Sequence, residues 1–89
     1  MGRLMNKSAI SVLVAAGAIR QVLIIADGAA IHVDIVTQTG EASTVTTNRG
    51  TVKCWVTIDA AARWVKGLGI GKAQLEISRW LPGQKGMAL

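Results

Sequence analysis

His32 and Asp34 stand two residues apart, so on a strand their side chains share a face and can form an imidazole–carboxylate pair. Such a pair is half of a general-base unit, but no nucleophile lies near it in the chain, and a polar row on a solvent-facing strand explains the same spacing. Cys54 adjoins Lys53, which can favour a thiolate; its alternation with Lys53 and Trp55 reads instead as a small inward core residue. One histidine and one cysteine make no convincing zinc set. Gly67-Leu-Gly-Ile-Gly71 resembles a phosphate loop in composition only. Its glycines close a helix and open a strand, which turns the wrong end of the helix dipole toward a phosphate. The residues therefore predict a non-enzymatic protein with no metal and no cofactor.

Charge carries more. Over residues 1–48, Arg3, Lys7 and Arg20 are offset by Asp27, Asp34 and Glu41. From position 49 onward Arg49, Lys53, Arg63, Lys66, Lys72, Arg79 and Lys85 meet only Asp59 and Glu76, so the whole formal charge of +5 lies in the C-terminal half. That asymmetry suits a polyanion, and equally a plain basic surface. Arg49, Lys53, Arg63, Lys66 and Lys72 are the candidate phosphate contacts, acting without base readout. Trp55, Trp64 and Trp80 are expected to pack in the core or an interface rather than stack on bases.

The elements that position these residues follow from periodicity. Eighty-nine residues make one small domain, with loose ends expected at about 1–6 and 80–89. With three aromatics in the chain, the core must be Val, Ile, Leu and Ala. Around Trp55-Val-Thr-Ile-Asp-Ala-Ala-Ala-Arg-Trp-Val-Lys-Gly-Leu-Gly-Ile70 every helix signal agrees. Thr57 can cap, Asp59 occupies the first turn, and Gly67 and Gly69 offer left-handed stops. Ile58, Ala61, Ala62, Val65 and Leu68 form one stripe, with Asp59, Arg63 and Lys66 opposite. An earlier helix, capped by Asn6 or Ser8 and ended by Gly17, is apolar nearly all round and should be buried on more than one side.

Strands are expected at 19–26, 30–37, 42–47, 51–56 and 72–78. Asp27-Gly28 makes a tight hairpin between the first two, and the Thr-rich third reads as exposed and near an edge. The predicted fold is α+β, order α-β-β-β-β-α-β: an antiparallel sheet of four to five strands with two helices on one face. Strand five should pair antiparallel beside strand one, giving order 5-1-2-3-4; the alternative sets it parallel beside strand four. Two helices cover one sheet face only, yet Val22-Leu-Ile-Ile25 is apolar on both. A homodimer is therefore expected, with Val22 and Ile24 as the candidate interface pair or, instead, the apolar back of the first helix.

Ala15-Ala-Gly-Ala-Ile-Arg-Gln-Val, the long segment from Trp55 to Ile70 and a closing alternating strand resemble the small ParC-like partition-associated proteins of bacterial plasmids and integrating elements. The resemblance spans most of residues 9–78, except that residues 38–49 are Thr-rich where more basic and aromatic residues are expected. It implies an accessory role in maintaining mobile DNA, with DNA or a partition protein as partner, and supplies no catalytic residues. The N-terminus also mimics a secretory leader, with Arg3 and Lys7 before an apolar run. Arg20 and Gln21 interrupt that run short of a membrane span, and the simpler expectation is a cytoplasmic protein without membrane contact.

Overall fold

The computed structural model describes residues 3–81. The order is β1 (Arg3–Asn6), α1 (Lys7–Ala15), β2 (Ile19–Gly28), β3 (Ala30–Thr37), β4 (Ala42–Thr46), α2 (Ile58–Gly67) and β5 (Gln74–Trp80). The class is α+β. The five strands form one mixed sheet in the order β1-β4-β3-β2-β5, with β1 parallel to β4, β5 parallel to β2, and the β2–β3–β4 meander antiparallel.

Both helices start as their capping residues dictate. The Asn6 side chain accepts from the Ala9 amide at 3.0 Å and the Thr57 hydroxyl from the Ala60 amide at 3.1 Å. Gly17 (φ +67°) and Gly69 (φ +92°) take the left-handed turns after them. Gly28, at φ +64°, supplies the positive angle that the hairpin into β3 requires at its first central residue.

The chain crosses the sheet twice, from β1 through α1 to β2 and from β4 through α2 to β5. Each crossover joins parallel strands and steps the same way across the sheet, so the usual right-handed connection puts both helices on one face. A shared core is the result: Ile10 of α1 and Ala61 and Val65 of α2 pack with Val22, Ile24, Ala26, Ile31, Val33, Ile35 and Val45.

Several expectations are corrected. Residues 3–6, expected loose, form β1, which covers one side of β4 and makes β4 an inner strand; Val45 and Ser43 are buried accordingly. Residues 51–56 are not a strand. β4 pairs with β3 only over Ala42–Thr44, and where the two part, Val52 bridges Thr46 and Trp55 bridges Ile31, so this segment fills the gap. With three full meander strands instead of four, the chain enters β5 from the opposite end. β5 therefore lies beside the 19–28 strand, as expected, but parallel to it. Val22 and Ile24, the expected interface pair, are buried at 2% and 5% exposure beneath the helices, which makes them core rather than interface. Nor is α1 buried all round: Ile10 is its buried residue, and Val12 is 68% exposed. The expected fraying of residues 82–89 and of Met1 and Gly2 lies outside the described residues.

Candidate nucleic-acid interface

Strand parity decides where the charges go. The face of the sheet away from the helices carries Leu23, Ile25 and Asp27 on β2, His32, Asp34 and Val36 on β3, Thr44 on β4, and Leu4 on β1. Leu4, Thr44, Asp34, Leu23 and Gln74 are successive partners across all five strands, and Glu76 and Arg79 of β5 adjoin Ile25 and Asp27. The charges of this open face are therefore Asp27, Asp34 and Glu76 against Arg79. Arg79 is tied to Asp27 at 3.3 Å.

The helix side is the reverse. Lys7 begins α1, Arg63 and Lys66 lie exposed on α2, and Lys53 and Lys72 flank α2 in the connections on either side; Asp59 is the carboxylate of this layer. It pairs with Arg63 at 3.0 Å, one helical turn on, and both groups are largely exposed. Among the described residues Lys7, Arg20, Arg49, Lys53, Lys66 and Lys72 have no ion pair. A net charge that the sequence divides between halves is thus divided by the fold between faces.

The candidate contacts fall in two places. Lys66 and Lys72 border one hollow of ≈ 230 Å³ over Ile24, Val65 and Ile70, and Lys72 also borders an adjoining one of ≈ 330 Å³ with Arg20 and Val14. Lys53 lies at the other site, with its amine 5.3 Å from the Trp55 ring centroid, and shares a polar hollow with Lys7, Thr46, Thr47, Asn48 and Trp64. Trp55 and Trp64 lean together at 5.2 Å and 55°, and both of them and Trp80 are partly buried against the core. Arg49 is exposed near the tip of the turn before Gly50, where its amide donates to the Thr47 hydroxyl. Lys7 and Arg20 were not legible as contacts. Their charges cancel against Asp27 and Asp34 in the sequence, and only the alternation along β2 and β3 separates them.

The remaining polar residues do less. His32 Nε2 lies 3.8 Å from Asp34 Oδ1, and the same carboxylate oxygen accepts from the Thr44 hydroxyl at 2.9 Å, so the pair is one part of a polar row on the open face. Cys54, expected in the core, is exposed, because the segment that carries it is not a strand and its alternation has no sheet to face. Gly67 closes α2 and Gly69 follows in the left-handed region, away from any helix start. No group of three or more His, Cys, Asp or Glu among the described residues is placed to hold a metal. No helix among them is long and apolar enough to cross a membrane. No protein-family model, curated protein or solved structure matches the chain.

Proposed function

We propose that the chain is a non-enzymatic, cytoplasmic accessory protein that lays its helix side against DNA, in keeping with its resemblance to ParC-like partition-associated proteins of mobile elements. The observation that carries this reading is the sorting of charge by face. Lys7, Lys53, Lys66 and Lys72, none of them in an ion pair among the described residues, lie on one side with Asp59, while Asp27, Asp34 and Glu76 lie on the other with Arg79. A polyanion is attracted to the first side and repelled from the second. Exposed lysines on a helix and its flanks act as point charges to phosphates, which fixes position without reading sequence. The test is duplex binding as a function of salt. Affinity falling along a log–log line, with a slope that the triple change Lys53→Gln/Lys66→Gln/Lys72→Gln flattens, supports the reading; no binding at low ionic strength removes it.

A second reading, a protein-interaction or homodimer module without nucleic acid, draws on the open sheet face. Leu4 there is 61% exposed, and Leu23, Ile25 and Val36 are partly so. Sedimentation equilibrium at tens of micromolar separates the cases, since a mass near one chain leaves no homodimer to explain.

A further inference from the structure

We propose that β5 pairs antiparallel with β5 of a second copy of this chain, about a two-fold axis normal to the sheet, joining the two sheets edge to edge. Among the described residues β5 ends the sheet, with β2 on one side and no strand on the other. An open edge presents backbone donors and acceptors that a further strand can satisfy, and edges that stay free are blunted by lysine, proline or brevity. β5 has seven residues, none of them lysine or proline, and residues 74–79 are all exposed. The opposite edge, β1, is only four residues long. α2 lies over β2 and β3, so Leu75, on the helix side of β5 beside Ile24, is left 47% exposed, as is Ile77.

The register of β5 on β2 selects a second copy as the occupant. Glu76 stands beside Ile25 and Arg79 beside Asp27, so Ile77 and Ser78 together oppose Ala26 as a bulge. The bulge brings Glu76 and Arg79, three residues apart, to the same open face, where Arg79 meets Asp27. Leu75 and Trp80, beside Ile24 and Gly28, come to the helix side. β5 is thereby palindromic in its faces about the link between Ile77 and Ser78. A two-fold axis through that point keeps each face on its own side, and sets Glu76 opposite Arg79 and Leu75 opposite Trp80 of the second copy, each pair made twice. In a strand without the bulge, Glu76 and Arg79 would lie on opposite faces and could not meet in this way. The Arg79 guanidinium has donors enough for both Asp27 and the facing Glu76. The same axis leaves both helix layers, with their lysines, on one side of the joined sheet.

Sedimentation equilibrium of the native chain, with amide hydrogen exchange read at a low and a high concentration, tests the pairing. The expected result is a mass of two chains at tens of micromolar, and slowed exchange within β5 that appears only at the higher concentration. Glu76→Arg and Arg79→Glu, each checked for a native-like circular dichroism spectrum, should dimerise about tenfold more weakly, because every facing pair then carries like charges. An equimolar mixture of the two should recover the dimer, since each contact between the different chains again joins a guanidinium to a carboxylate. Where Arg79→Glu unfolds the chain by facing Asp27, Ile77→Lys at its exposed position takes its place, with the same weakening expected. A mass near one chain up to hundreds of micromolar overturns the proposal, and with it the homodimer of the second reading. Folded charge variants whose mixture recovers nothing overturn it as well. A dimer that is unchanged in Glu76→Arg and Ile77→Lys but lost in Leu23→Lys also overturns it, and leaves the second reading standing through the open face. The DNA reading rests on the salt dependence of duplex binding and is untouched by any of these results.

Discussion

Lys7 shows how a single residue can be set against its own element. A cation at the positive end of α1 costs stability, so Lys7→Glu should raise the unfolding free energy by about 0.5 kcal/mol while weakening duplex binding. Urea titration and binding at fixed salt, run on the same variant, check both signs together; a variant less stable than the native chain contradicts the account. Caps behave in the ordinary way. Asn6→Ala and Thr57→Ala should each cost about 1 kcal/mol, because each leaves the amide three residues on without its acceptor. The Thr57 cap was legible in the sequence, since a short polar side chain before an apolar periodic run has few other uses, whereas Asn6 was there one of two candidates beside Ser8. Cys54 was not, because its burial depended on a strand that the chain does not form.

Among the elements, the helices and the hairpin followed from local pattern, and the errors came from pairing between distant segments. Residues 3–6 carry no alternation and become a strand only because Ser43 to Thr46 accept them as a parallel partner. That pairing also closes the side of β4 that a further meander strand needed. The direction of β5 then follows from counting strands, so one misplaced segment turned an antiparallel neighbour into a parallel one. The same parity decides the faces of β2. Val22→Lys buries an unpaired charge beneath α1 and α2 and should unfold the domain, whereas Leu23→Lys, on the open face, should leave it folded. Circular dichroism and thermal melts of the two variants check this directly; equal loss of structure in both contradicts the assignment of faces. Core truncation should be costly as well. Ile10→Ala, at the one buried position of α1, is expected to lose about 3 kcal/mol in a urea titration.

At the scale of the whole molecule the fold turns a charge asymmetry along the chain into one across it. The basic second half was plain in the sequence, and Lys53, Lys66 and Lys72 do lie on the helix side with few acids about them. The contribution of Lys7 and Arg20 was hidden by the summed charge of the first half, and appears only once β2 and β3 send Asp27 and Asp34 to the opposite face. The central claim is that this helix side meets the phosphates of DNA. The most direct measurement is the slope of log affinity against log salt for a short duplex, taken for the native chain and for Lys53→Gln/Lys66→Gln/Lys72→Gln. Each phosphate contact contributes about −0.9 to that slope, so the account predicts that the triple variant flattens it by about 2 to 3 while Asp34→Asn on the open face leaves it unchanged. An identical slope in the native chain and the triple variant would contradict it.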